Sequence, residues 1–294
     1  MVRNDRKTPE KDCNYKMKYQ KTIQTQYFDL DWNRHVTSRT YEKMAYAARM
    51  EILKELGFPI AEILQRQWKW VSQGSHVRFH SQQYENSNLL IETEVVRDTN
   101  NSLHFHQKLL DTEKKLVCTI GNQSVLLDEN KKSVKIDAIQ EDLSRVFSWK
   151  LNERLAEWNT LQHTLYIPFS DMNCFWNLPT DSVWKIFEEG RFLFFKEVVD
   201  LSLITKFDTS TFFMGGDIEI LELPEPGTNI LLHSWIDEVQ KIRFFFRQDI
   251  VSQNGRLLAK MRDEQLFVSL SNSRPKKAPP QFLSAVENYI RPVN

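Results

Sequence analysis

The feature that most constrains the fold of this chain is an internal repeat whose period is far longer than that of a solenoid. Four pairs of identical residues mark it, three at a spacing of 142 residues and one at 141: Asp29 with Asp171, Arg49 with Arg191, Gly74 with Gly216, and Gln107 with Gln248. The one-residue drift is what a short loop insertion produces. The repeat predicts one domain built twice within the 294 residues.

Each half of the sequence presents the same order of patterns. A short extended segment (19–28, then 163–169) is followed by a long amphipathic helical pattern, which begins near Thr37 or Ser38 in the first half and near Thr180 or Asp181 in the second. Four strand-like runs then follow at about 75–80, 88–97, 102–111 and 115–127, and again at about 217–223, 229–239, 241–251 and 256–270. A strand, a helix and an antiparallel meander, twice over, predict an α+β fold in which a curved sheet wraps each helix.

The repeat also predicts the domain boundaries. We expect an N-terminal unit at 15–128, a linker at 129–160, a C-terminal unit at 161–271 and a tail at 272–294. Within the linker, the pattern of Ile139–Trp158 favours a helix packed outside the two units. The tail is expected to end in a short helix.

Composition excludes several classes of protein. Lys and Arg number 39 and Asp and Glu 39, so a basic field for nucleic acid is not expected. No apolar run approaches the roughly 20 residues of a membrane span, and the first residues lack the apolar core of a signal peptide, so we expect no membrane insertion and a cytoplasmic location. Cys13, Cys118 and Cys174 are too few and too widely spaced for a disulfide framework or a metal site.

Polar side chains that can carry chemistry are concentrated just before the first helix. Two carboxylates, an amide and an imidazole lie within seven residues: Asp29, Asp31, Asn33 and His35. The free N–H groups and positive dipole end of a helix N-terminus favour negative charge that develops there, as on a carbonyl oxygen under attack. A nearby carboxylate can attack that carbonyl or take a proton from water.

The run from Asp29 to Val36, with Tyr41 and Arg49 downstream, resembles the signature of hotdog-fold acyl thioesterases. It is similar to the Asp-x-Asn-x-His-Val run of plant and bacterial acyl-ACP thioesterases, and to the Asp-x-Asp-x-x-Gly-His-Val-x-x-x-x-Tyr pattern of the 4-hydroxybenzoyl-CoA thioesterase group. The resemblance implies a tandem (double) hotdog fold. In that fold each unit is a long helix wrapped by a curved antiparallel sheet, and the two units form a pseudo-dimer.

The resemblance also implies roles for individual residues. Asp31 matches the catalytic carboxylate, and Asn33 and His35 match the residues that orient it. Substrate contacts are expected from the residues that open the first helix, which are Val36, Thr37, Ser38 and Tyr41.

Two positions depart from the family pattern. Arg34 stands where many relatives have Gly and the acyl-ACP enzymes have Gln. The acyl-ACP enzymes place an acidic residue on the strand after the helix, whereas the region here, Gly74–Arg78, holds no carboxylate. His76 is the candidate for a second catalytic base in that region.

The second repeat lacks the motif. Asn173 stands at the Asp31 position, Phe175 at the Asn33 position and Asn177 at the His35 position. Because an amide is neither a nucleophile nor a base near neutral pH, we expect one functional site per chain.

The resemblance implies a thioesterase that hydrolyses an acyl-CoA or acyl-ACP thioester and needs no metal or redox cofactor. A non-catalytic acyl-CoA-binding sensor or scaffold is the alternative of a different class. An enoyl-CoA hydratase or dehydratase fits less well, because its Asp-x-Asn-Pro-x-His motif places the His five residues after the Asp, whereas His35 is four after Asp31. A monomer and a homodimer of double hotdogs both remain open.

Overall fold

The two halves of the chain contribute five strands each to one ten-stranded antiparallel sheet. The computed structural model describes residues 18–31, 34–155, 157–199 and 206–292. The strands are β1 Lys18–Gln24, β2 Lys69–Phe79, β3 Asn88–Arg97, β4 Leu103–Leu110, β5 Leu116–Leu127, β6 Leu161–Tyr166, β7 Ser210–Ile220, β8 Asn229–Val239, β9 Arg243–Ser252 and β10 Leu257–Val268. The α-helices that lie wholly within the described ranges are α1 Ser38–Glu55, α2 Ile60–Gln65, α3 Thr180–Val198 and α4 Pro280–Val286.

The order of the strands in the sheet is the same in both halves of the chain, as the duplication predicts. It runs β1-β3-β4-β5-β2 and then β7-β10-β9-β8-β6, so β2 and β7 form the seam at which the two units meet. The long helices α1 and α3 contact one another. Apolar side chains from both helices and from both halves of the sheet share one core cluster, which includes Met44, Ala48, Phe187, Ile91 and Ile250.

A buried polar network fastens each long helix to its sheet, and it too is repeated. In the first unit Arg49, fully buried, pairs with Glu42 and donates to Gln107 Oε1 at 2.7 Å. Gln107 in turn donates to the Ala45 carbonyl oxygen at 3.1 Å. Because Gln107 lies on β4, these buried hydrogen bonds fix the position of α1 on the sheet.

The second unit builds the matching network with one exchange. Arg191 pairs with Asp263 at 2.7 Å, and Gln248, with its amide turned to suit its neighbours, donates to the Phe187 carbonyl oxygen at 2.9 Å. The carboxylate now comes from β10 rather than from the helix, where Trp184 occupies the position of Glu42. Repeated contacts of this kind confirm that the sequence repeat is a repeat of structure.

Several sequence-based boundaries are corrected by the structure. Strand β2 begins at Lys69, six residues before the predicted start, and the predictions missed α2. No α-helix forms at 139–155 or 157–158, where the described residues contain a single 3-10 turn, Leu143–Arg145.

The described part of the linker forms no α-helix because it lies as a strap across the outer face of the sheet. Trp149 stacks on His76 with ring centroids 6.1 Å apart, over Gly74, where a Cβ atom would meet its indole nitrogen at 2.1 Å. The Leu151 N–H donates to Glu219 at 3.1 Å and its carbonyl accepts from Lys260 at 2.8 Å. Backbone groups that bond to side chains of the sheet in this way are not available for helical hydrogen bonds.

The strap buries charged groups on the outer face of β9 and β10. Asp249 is 3% exposed, and burial raises its pKa to about 6 even though the Arg247 guanidinium lies 3.6 Å away. A carboxyl whose pKa is higher in the folded than in the unfolded state lowers stability as pH rises between the two values. Asp249 therefore opposes folding above about pH 6.

We expect Asp249→Asn to become more stable than the wild type as pH rises from 4 to 6, by about 2–3 kcal/mol from the size of the pKa shift. The free energy of unfolding in urea, measured for both proteins at pH 4, 5, 6 and 7, tests this. The cross-strand neighbour His233, whose pKa is lowered by burial, makes both proteins more stable as pH rises. Subtracting the wild-type free energy of unfolding from that of the variant cancels this contribution. A difference that does not change with pH would contradict the prediction.

Candidate active site

A tight turn places the predicted motif directly before α1. The Asp31 N–H donates to the His35 carbonyl oxygen at 2.8 Å, and the Arg34 N–H donates to the Asp31 carbonyl oxygen at 2.9 Å. The Asp31 side chain also accepts from the His35 N–H at 3.1 Å. Asn33, the third predicted member, lies outside the described residues.

The second unit contains the same turn with different side chains. Asn173 and Asn177 are joined by a backbone hydrogen bond of 2.9 Å, and Asn173 Oδ1 accepts from the Asn177 N–H at 3.4 Å. Arg34 and its counterpart Trp176 both have left-handed backbones, with φ of 66° and 58°. That conformation favours Gly, so both residues hold a backbone that side chains rarely adopt. One oxygen of Asp31 thus supports a turn that an amide supports equally well.

The residues after the turn lead into the helix as predicted. Val36 is buried and its N–H donates to the Gln83 carbonyl oxygen at 3.0 Å. Thr37 is the N-cap of α1, and its N–H donates to the Asp29 carbonyl oxygen at 3.0 Å. The Ser38 N–H has no hydrogen-bond acceptor among the described residues, so an open donor lies at the positive end of the helix dipole.

A carboxylate from the other unit reaches this helix terminus. Glu188 on α3 is half-buried, accepts from the Ser38 hydroxyl and accepts from the Arg39 N–H at 3.2 Å. The sequence analysis missed Glu188 because it is 150 residues from Ser38 in the chain. The contact has a counterpart in the second unit, where Tyr46, at the position that matches Glu188, accepts from the Asn173 amide at 3.4 Å.

Tyr41 and His35 both contact the loop between β2 and β3. The Tyr41 ring is buried, which raises its pKa, and its hydroxyl bonds to the Gln83 backbone. The half-buried His35 ring packs edge-on against Tyr84, with centroids 5.3 Å apart. The loop between β2 and β3 therefore holds both side chains beside the start of α1.

His76 does not join this group, which corrects the prediction that it is a second base at the motif. Ser75 and Val77 point toward α1, where Ser75 donates to Glu42 at 3.2 Å and Val77 joins the core. Successive residues of a strand point to opposite faces, so His76 lies on the outer face, beneath Trp149 and paired with Asp217 of β7. The pair bridges the seam between the units.

The matching region of the second unit is closed. Phe175, at the Asn33 position, is 2% exposed and packs in the core of the first unit. Asn177, at the His35 position, donates to the Trp70 carbonyl oxygen at 2.8 Å. Thr180, at the Ser38 position, is fully buried. These contacts support the prediction of one functional site per chain.

Neither a metal-ligand cluster nor a membrane-spanning helix occurs in the part of the chain that the structure describes. No cluster of three or more His, Cys, Asp or Glu side chains that could hold a metal ion occurs there. None of the helices there is both long enough and apolar enough to cross a membrane.

The motif-bearing unit is similar to a known protein family. Residues 26–147, which include the turn and all of α1, match the model of the thioesterase-like superfamily. The match supports a thioester hydrolase. A search of curated proteins finds no match to the sequence.

Solved structures confirm the double hotdog fold over 85–88% of this chain. A candidate oleoyl thioesterase from Lactobacillus plantarum is 11% identical with a TM-score of 0.69, over 86% of this chain and 97% of that one. An acyl-ACP thioesterase from Bacteroides thetaiotaomicron is 12% identical with a TM-score of 0.64, over 85% and 97%. The 12:0-ACP thioesterase from Umbellularia californica is 14% identical with a TM-score of 0.63, over 88% and 94%.

Proposed function

We propose that this protein hydrolyses an acyl-CoA or acyl-ACP thioester to a carboxylic acid and a thiol at the start of α1. The observation that carries the proposal is the combination of an open Ser38 N–H with two carboxylates, Asp31 from the turn and Glu188 from α3. A thioester carbonyl needs a donor that stabilises its developing negative charge, and the attacking water needs a base. This helix terminus offers both.

The Ser38 N–H would bind the carbonyl oxygen of the thioester, because it is an open donor at the positive end of the helix. Asp31, oriented by Asn33 and His35, would attack the carbonyl carbon or take a proton from the attacking water. If Asp31 acts as the base, water forms the new C–O bond, the C–S bond breaks, and the proton taken by Asp31 passes to the leaving thiolate. If Asp31 attacks, the thiolate leaves an acyl-Asp31 anhydride, which a water molecule then hydrolyses to release the carboxylic acid and restore the carboxylate.

Glu188 would accept a hydrogen bond from the same water. Its carboxylate is already anchored by the Ser38 hydroxyl and the Arg39 N–H, so little reorganisation is needed. In the second unit the corresponding pair, Tyr46 and Asn173, is in contact. By the repeat, we infer that Glu188 and Asp31 face the same space.

Thiol release measured with a thiol-reactive dye tests the proposal. The full-length protein is offered acyl-CoA esters with short, long, branched and aryl acyl groups, and the same acyl groups on acyl carrier protein. We expect turnover of at least one ester. Tight binding of acyl-CoA without release of thiol from any ester would favour the sensor instead.

A further inference from the structure

The two helix N-termini differ in the side chains that lie beneath them, although the backbone is the same. The bulge in β2 falls between Ser72 and Gly74, and the bulge in β7 falls between Phe213 and Gly215. Aligning the bulges places Phe213 at the position of Ser72 and Ile220 at the position of Phe79. Each pair can therefore be compared directly between the open end, at the start of α1, and the closed end, at the start of α3.

At the closed end these positions are sealed. Ser72 is 5% exposed, and its hydroxyl lies 2.7 Å from the hydroxyl of Thr180, the first residue of α3. Ile220 is 7% exposed. A small polar side chain tied to the helix leaves no apolar surface for a ligand.

At the open end both positions hold phenylalanines that are only half-buried, Phe79 and Phe213. Their ring centroids are 5.6 Å apart, and the row continues to Tyr41 at 5.1 Å and to Trp184 at 5.9 Å. Large apolar side chains that keep exposed surface beside a catalytic motif are typical of a ligand-binding wall.

The ends of this row lie beside the proposed reaction centre. Tyr41 is three residues after Ser38 on α1, and Trp184 is four residues before Glu188 on α3. Residues three or four apart lie on the same face of a helix, about one turn from each other. The row of rings therefore runs beneath the contact between Ser38 and Glu188.

The space behind the row is filled. Tyr41 and Trp184 are 2% and 1% exposed. Both helices lie close to the sheet, since Gln107 reaches the Ala45 backbone at 3.1 Å and a Cβ atom on Gly190 would meet Leu232 at 1.9 Å. A long acyl chain that entered between helix and sheet would have to displace these groups.

We propose that Phe79 and Phe213 form the acyl-binding surface and restrict the enzyme to small acyl groups, a short aliphatic chain or a single aromatic ring. The proposal rests on the proposed function and names its substrate class. Phe213 carries the restriction, because its ring fills the space beneath α1. At the equivalent position beneath α3, its counterpart Ser72 places only a hydroxyl. Phe79 supplies the second face of the surface.

The test compares kcat/KM for butyryl-, benzoyl-, octanoyl- and dodecanoyl-CoA. We expect the wild type to prefer butyryl or benzoyl over dodecanoyl by at least about 10-fold, the scale of discrimination that pocket shape provides. Phe213→Ala, with Phe213→Leu as the milder change, is expected to raise kcat/KM for octanoyl-CoA relative to butyryl-CoA. Ile220→Ala at the closed end is the matched control and should leave the profile unchanged.

Binding of S-butyl-CoA and S-dodecyl-CoA thioethers, measured by calorimetry, reads the same surface without hydrolysis. Tighter binding of the butyl thioether, reversed in Phe213→Ala, supports the proposal even if no ester is hydrolysed, and only the proposed function would then fail. A wild type that hydrolyses or binds the dodecyl derivatives best would overturn the restriction to small groups. So would a Phe213→Ala profile identical to that of the wild type.

Discussion

Asp31→Asn is expected to lower kcat/KM for the best thioester by at least about 100-fold, the scale of losing a general base or nucleophile. The turn should survive the change, because Asn173 already makes the equivalent turn with its amide oxygen. The measurement is initial thiol release by the purified variant. Its free energy of unfolding in urea should stay within about 1 kcal/mol of that of the wild type, since the side-chain hydrogen bond is retained.

The matched control is Asn173→Asp, which puts a carboxylate into the same turn of the closed unit. We expect wild-type activity from it, because Phe175 and Asn177 still fill that end of the molecule. Full activity in Asp31→Asn would show that Asp31 serves only the turn. The thioesterase chemistry would then have to be assigned to Glu188.

Glu188→Gln is expected to lower kcat by about 10- to 100-fold, with little change in the affinity for a thioether analogue. The amide oxygen can still accept from the Ser38 hydroxyl and the Arg39 N–H, so the contact between α1 and α3 is kept. The substitution removes the negative charge of the carboxylate, which polarises the attacking water. Single-turnover rates separate this effect from binding.

Glu189→Gln is the control for Glu188, because Glu189 is the next residue of α3 and is exposed. Its kcat should match that of the wild type. If Asp31 and Glu188 act on one water, the double variant Asp31→Asn with Glu188→Gln should lose hardly more than Asp31→Asn alone. Losses that simply multiply would place the two carboxylates in separate roles.

The sequence was sufficient for the features that depend on local pattern and on repetition. Helix periodicity predicts the start of α1 at Thr37 or Ser38, and the structure begins the helix at Ser38. The spacing of 142 residues predicts the duplicated fold, because identical residues in matching elements face matching environments. The loss of Asp, Asn and His from the second repeat predicts that its site does not function, since amide and phenyl groups cannot replace their chemistry.

Tertiary structure alone decided what meets across the two units. Glu188 reaches Ser38 because α1 and α3 are in contact, and no local pattern records a contact 150 residues apart. His76 lies on the outer face because strand register, set by packing beneath α1, fixes which of two alternating faces it takes. The sequence at 139–158 predicts a helix, yet no α-helix forms at 139–155 or 157–158, because Trp149 packs over Gly74 and the Leu151 backbone bonds to side chains of the sheet. Helical preference is a local quantity of a few tenths of a kcal/mol per residue, and burial against the sheet exceeds it.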